Sequence, residues 1–236
     1  EPKATVFYFP GCGSERLYAD IGKAALWLLG RAGATVVLPP PRLCCGFPHH
    51  ANAAESRAGR IELRDTVLLS QIRRMMSHLT FDACAVTCGT CRESLQGLGA
   101  PEVFGCAITD VSSFALANGV RAAGDGDCLY HAPCHDSLEG AGLRLLREGG
   151  RAATAVPHCC SEAGTLALSR PDIADAMRER KLEALRAAAG DRPGLPLLTN
   201  CPSCLQGLGR NASLAGVRPR HLAVELAERA GGAGWA

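Results

Sequence analysis

Residues 4–12, ATVFYFPGC, read as a β-rich run that ends by delivering a cysteine, Cys12. The same design recurs at 127–135 as DCLYHAPCH, which delivers Cys134. Two further stretches, ATVVLPPPRLCC (34–45) and ATAVPHCC (153–160), end in the adjacent pairs Cys44-Cys45 and Cys159-Cys160. A third set, ACAVTCGTC (83–91) and PLLTNCPSC (196–204), closes with Cys88-x-x-Cys91 and Cys201-x-x-Cys204. Equivalent cysteines are offset by 122, 115, 113 and 113 residues, and ten of the thirteen cysteines follow this order. An internal repeat of this kind predicts two similar halves, 1–122 and 123–236, related by a pseudo-twofold axis.

Helical patterns fill the gaps between the cysteine groups. Leu17, Ile21, Ala24, Ala25 and Leu28 keep 3–4 spacing, as do Leu68, Ile72, Met75 and Leu79. The run RPDIADAMRERKLEALRAAAG (170–190) has Pro171 at a first-turn position, acids early and bases late, which suits a helix dipole. Alternating strands and helices imply an α/β fold in which each half is a small, mostly parallel sheet flanked by helices. Each cysteine group then lies at a strand's carboxyl end, the edge where open α/β sheets bind ligands. The C-x-x-C members should begin helices, whose first N–H groups and dipole favour thiolate.

Composition excludes several classes. The chain has 236 residues, 47% hydrophobic and 20% charged, which is ordinary for a globular protein. A net charge of +2 gives no reason to expect nucleic acid as a partner. The longest apolar run, AALWLLG (24–30), is far short of the roughly 20 residues that span a bilayer. No signal peptide opens the sequence; it begins on Glu1 and runs almost at once into a strand, so it is read as an excised part of a longer, cytoplasmic protein, or one peripheral to the inner face of the membrane. An odd count of thirteen cysteines in a long helical chain speaks against a secreted disulfide framework, despite the acceptor triplet at Asn211.

Each half therefore offers five thiolates to one inorganic centre: Cys12, Cys44, Cys45, Cys88 and Cys91, then Cys134, Cys159, Cys160, Cys201 and Cys204. Thiolate-only sites select iron–sulfur clusters, zinc or copper(I). Structural zinc takes four ligands, commonly from two knuckles, so five sulfurs with an adjacent pair favour an iron–sulfur cluster.

Cys12, Cys44-Cys45-Gly46 and Cys88-x-x-Cys91 resemble the cysteine-rich CCG domain. That domain occurs, usually in two copies, in heterodisulfide reductase and in the iron–sulfur subunits of glycolate oxidase, anaerobic glycerol-3-phosphate dehydrogenase and lactate-utilisation systems. CCSEAGTLALSRPDIADAMRERK (159–181) and TNCPSCLQGLGR (199–210) are most similar to the carboxyl-terminal part of fusions joining a FAD-linked oxidase to an iron–sulfur oxidoreductase. The resemblance implies [4Fe–4S] clusters, cubane or non-cubane, held by the ten cysteines. It implies electron transfer from FAD on a separate flavoprotein dehydrogenase domain or subunit towards a quinone or redox protein. On this reading the chain is the iron–sulfur module of a flavin-linked 2-hydroxyacid dehydrogenase of lactate or glycolate type. Two other readings stand beside it: a cluster-based disulfide reductase, and a zinc- or disulfide-stabilised interaction module.

The second half departs from the pattern. Ser161 replaces the glycine after the pair, and 24 residues separate Cys134 from Cys159 against 31 between Cys12 and Cys44. If that glycine lets backbone approach a cluster, Ser161 crowds the second centre and makes it the weaker of the two. GCGSER (11–16) lacks the third glycine of a dinucleotide fingerprint. His49, His50, His131, His135 and His158 lie beside cysteine groups; each reads as a loop or surface residue, with one or two able to donate to cluster sulfur. Cys84, Cys106 and Cys128 fall outside the repeat and read as small buried hydrophobes.

Overall fold

Val6 to Phe9 are buried on both faces of β1 (Ala4–Phe9), as a parallel strand covered on both sides must be. In this computed structural model, which describes residues 3–122, 124–162 and 166–235, β1 lies at the centre of a four-stranded parallel sheet. Its neighbours are β2 (Ala34–Val37) and β3 (Ala83–Val86), with β4 (Ile108–Asp110) beyond β3, in the order β2-β1-β3-β4. The second sheet repeats the plan. β5 (Asp127–Tyr130), β6 (Ala152–Ala155), β7 (Leu195–Thr199) and β8 (Val217–His221) are arranged β6-β5-β7-β8, again all parallel. The α/β class and the repeated halves are as the sequence implied. Glu1 and the expected boundary residue Ala123 lie outside the described residues.

A short π-helical turn (Gly13–Leu17) leads from Cys12 into α1 (Ala19–Arg31). In the first half there follow α2 (Phe47–His50), α3 (Glu55–Met75), α4 (Gly89–Gly97), α5 (Ala100–Phe104) and α6 (Val111–Ala117). The second half adds α7 (Gly142–Glu148), α8 (Leu166–Ser169), α9 (Pro171–Ala189), α10 (Pro202–Ala215) and α11 (Leu222–Gly231). Pro171 is the first residue of α9, as its fixed φ and missing donor favour. Among the described residues no helix is long and apolar enough to cross a membrane.

Two helix faces differ from the sequence reading. Leu17 stays in the π turn, exposed, and only Ile21, Ala24, Ala25 and Leu28 of that stripe are buried. On α3 the buried stripe is Ala58, Asp65, Leu69 and Ile72, while Met75 points to solvent. The true stripe escaped notice because a buried acid interrupts its hydrophobic periodicity.

The core is shared between the halves. Phe7, Phe9 and Leu69 pack in one cluster with Leu129, Leu185 and Leu197 from the second half. On the opposite sheet faces, Val6, Tyr8 and Leu28 join Tyr130, Leu198 and Leu226. Strand alternation divides Phe7 and Phe9 from Val6 and Tyr8 between the two clusters. Asn211 is fully buried and donates to the Arg178 carbonyl, so it offers no accessible side chain for glycosylation.

Candidate metal centre

β1 ends at Phe9, and the chain turns through Pro10 and Gly11 to present Cys12. The Cys44-Cys45 pair lies in the loop between β2 and α2, half-buried and buried respectively. Cys88 is the N-cap of α4 and Cys91 lies in its first turn; Cys201 caps α10 in the same way, with Cys204 a turn on. The predicted placing of both C-x-x-C groups at helix starts is therefore seen. Cys88 Sγ also lies 3.0 Å from Thr90 Oγ1.

The ten cysteines of the repeat come together in a form the sequence did not disclose. In the first half thiol contacts run Cys12–Cys44–Cys45–Cys91–Cys88. In the second they run Cys159–Cys160–Cys204–Cys201, with the exposed Cys134 close to Cys159. Cys88 and Cys201, equivalent residues of the two halves, are close enough to act on each other's ionisation. The result is one continuous run of sulfur, symmetric about the Cys88–Cys201 contact. The two expected groups of five thiols thus lie side by side rather than apart.

This packing governs ionisation. Cys44 is held down to about 2 by contacts from Cys12 and Cys45, with help from the Gly46 N–H. Its neighbour Cys45 is pushed up to about 12, first by Cys44 and further by burial. Cys12 is pushed up by Cys44 and by burial. Cys88 is lowered by Cys201 and Cys91, and Cys160 by Cys159, Cys204 and then His131. Thiols this close cannot all ionise unless a cation lies among them. A thiophilic metal centre meets that demand, and two sets of five sulfurs exceed what one zinc uses in each half. The donor set fits iron–sulfur clusters.

The turn after each pair has a common shape. Gly46 has φ +81° and Ser161 has φ +70°, both left-handed. This directs the backbone N–H of Ser161 onto Cys159 Sγ at 3.4 Å, as that of Gly46 serves Cys44. The structure adds a reason for the glycine beside close approach to a cluster: the position demands positive φ, which glycine adopts without strain. Ser161 meets that demand under strain, with its Oγ buried and without a partner.

Of the five histidines, His131 is misjudged as a loop or surface residue. It follows β5 directly, is buried, and has a ring nitrogen within 4.8 Å of Cys160 and Cys204 Sγ, which are as close to each other. Its equivalent in the first half is Phe9. A polar residue at the end of an otherwise apolar buried strand was the signal available. His50 is paired with Glu55 and Glu62, and His135 with Glu93 while packed on the Phe47 ring. Cys84 and Cys128 are buried as expected, and Cys106 is half-buried.

Hydrogen bonds brace the lobes from behind. Tyr8, Thr87 and Ser14 form one network, and Tyr130, Asn200, Asp136 and Ser137 form its counterpart. Asp110, at the end of β4, accepts from Ser137 Oγ across the halves at 2.5 Å. Reciprocally, His221 at the end of β8 donates from Nε2 to the Thr87 carbonyl at 3.0 Å.

Residues 6–96 and 128–209 each match the cysteine-rich CCG domain. The chain is 25% identical to one subunit of the fumarate reductase (CoM/CoB) of Methanothermobacter marburgensis, over 86% of this chain and 41% of that protein. It is 26% identical to the glycolate oxidase iron–sulfur subunit of Escherichia coli, over 89% of this chain and 56% of that one. It is also 23% identical to lactate utilization protein A of Anoxybacillus flavithermus, over 95% of this chain and 99% of the relative. The chain thus spans about two-fifths of the length of the first of these relatives, about half of the second and nearly all of the third. With both motif copies matched over most of its length, the chain belongs to the CCG cysteine-rich domain family.

Proposed function

We propose that this chain is an iron–sulfur electron-transfer module serving a flavin-linked 2-hydroxyacid dehydrogenase of lactate or glycolate type. Residues 1–122 and 123–236 each furnish one [4Fe–4S] centre. Cys12, Cys44, Cys45, Cys88 and Cys91 hold the first, and Cys134, Cys159, Cys160, Cys201 and Cys204 the second. The observation that carries the reading is the unbroken run of sulfur through the Cys88–Cys201 contact, which leaves the two centres close enough to exchange electrons. Such centres supply one-electron acceptance and donation. The protein's own part is to hold the sulfurs at two helix starts and to exclude water from six buried thiols. FAD belongs to a partner flavoprotein domain or subunit, and the acceptor is a quinone or redox protein.

One observation favours the disulfide-reductase reading as second choice. Cys134 is exposed, and beside it lies an open cavity of about 510 Å³ lined by Tyr130, Val156, Pro157, His158 and Cys159, where a disulfide could reach the second centre. The experiment that separates the readings uses the chain reconstituted without oxygen. Reduction by an added flavoprotein dehydrogenase with lactate or glycolate, and no turnover of either acid alone, supports the electron-transfer reading. Thiol release from an added disulfide by the dithionite-reduced chain, with no response to the flavoprotein, favours the second.

A further inference from the structure

The helices α3 and α9 occupy equivalent places, each following a cysteine pair. Each carries one fully buried ionic residue four positions before a fully buried leucine: Asp65 before Leu69, and Lys181 before Leu185. The charge is opposite in the two halves. Asp65 is held by Arg64 at 2.7 Å, and its second oxygen is buried without a partner. Lys181 Nζ lies 3.2, 2.7 and 3.1 Å from the carbonyls of Val156, Pro157 and His158, the segment leading into Cys159, and 3.0 Å from His131 Nδ1.

Those carbonyls fix the proton on the imidazole. A carbonyl only accepts, so three of them call for the three N–H groups of an ammonium; an ammonium has no lone pair, so it cannot accept from Nδ1 and shares one of its hydrogens with that nitrogen. Nδ1 is then the acceptor and the ring proton sits on Nε2. Nε2 is buried, has no nitrogen or oxygen partner, and belongs to the ring that meets Cys160 and Cys204. A nitrogen bearing its proton has no lone pair for a metal, so His131 donates to sulfur and does not ligate. The three carbonyls at hydrogen-bond distance are what hold Lys181 as a cation in its buried place. The first half has the Phe9 ring in place of this donor and a carboxylate in place of this cation.

An N–H donor and a buried cation stabilise added negative charge, strongly so at low dielectric. On the reading that each half holds an iron–sulfur centre, we propose that Lys181 and His131 form a positioning pair that makes the second centre the electron sink. A one-electron donor of the flavin class reduces the first centre; the first is reoxidised as the second takes the electron across the Cys88–Cys201 contact. The pair touches no reacting atom of an organic substrate, and its effect is on potential and on the direction of transfer.

The test is an EPR-monitored redox titration of the anaerobically reconstituted chain, with iron and sulfide analysis. His131→Phe, which installs the residue the first half uses, should shift the second centre to lower potential at unchanged iron and sulfide content. Lys181→Met should do the same, Lys181→Arg should restore most of the shift, and Asp65→Asn should raise the first centre alone. Loss of iron from the second site in His131→Phe would show a ligand and overturn the inference. So would an unmoved potential, which rests on His131→Phe even if Lys181→Met fails to fold. Wild-type chain that binds no iron or sulfide would overturn the parent reading as well, whereas two bound centres with the first at higher potential would overturn this inference alone.

Discussion

Ser161 holds a side chain in a left-handed turn that Gly46 takes freely, and its hydroxyl is buried without a partner. Both features cost free energy: about 1 kcal/mol for the backbone and a similar amount for the orphaned hydroxyl. Ser161→Gly should therefore stabilise the chain by about 1–2 kcal/mol, and Gly46→Ser should destabilise it by as much. Equilibrium denaturation of the two variants checks this, and a Ser161→Gly variant no more stable than the parent would contradict it. The departure at Ser161 was legible in the sequence, but its meaning was not, because φ is a property of the folded turn. Lys181 was passed over, and His131 was not told apart from four other histidines, for a related reason. Each differs from its counterpart, Phe9 and Asp65, and the contrast acquires sense only when the two halves are superimposed residue by residue.

At the scale of elements, the strand–helix order and the helix starts at Cys88 and Cys201 could be read directly, since hydrophobic periodicity and cysteine spacing are local signals. The reciprocal caps could not. Asp110 caps α6 through the Ser112 N–H and His221 caps α11 through the Ala223 N–H, and each also reaches across to the other half. Burial pushes Asp110 up to about 6 from its ordinary 3.8 and His221 down to about 4 from 6.5. Between pH 4 and 6.5 the folded chain binds fewer protons at His221 than the unfolded chain, so this group's share of stability rises with pH and is lost below 4. Between pH 3.8 and 6 the folded chain binds more protons at Asp110, so that share falls as pH rises. The slopes oppose. Asp110→Asn keeps the cap but removes its titration, so its stability should drop by up to about 3 kcal/mol more than wild type between pH 6.5 and 4. Denaturation of the metal-free protein at a series of pH values checks this; parallel profiles for the two proteins would contradict it.

At the scale of the molecule, two glycines let the halves meet. A Cβ on Gly89 would stand 1.7 Å from the His135 carbonyl oxygen, and one on Gly13 would stand 2.6 Å from Pro202 Cβ. The backbone contact cannot yield as a flexible side chain could. Gly89→Ala should cost at least about 1–3 kcal/mol and part Cys88 from Cys201. Thiol-selective crosslinking of those two cysteines in the metal-free chain should fall with it, and crosslinking equal to wild type would contradict this. Repetition announced two halves and ten candidate ligands. It did not announce that the halves share their cores and bring Cys88 to its equivalent Cys201, because these contacts pass between the halves and no spacing along the chain records them.

That junction is central to the proposed function, and one measurement bears on it most directly: iron, sulfide and zinc analysis of the anaerobically reconstituted chain, with its reduced EPR spectrum. Two [4Fe–4S] centres predict about eight irons and eight sulfides per chain, with magnetic interaction between neighbouring centres that Cys88→Ala or Cys201→Ala diminishes. Stoichiometric zinc without sulfide, or two clusters whose spectra show no interaction, would contradict it.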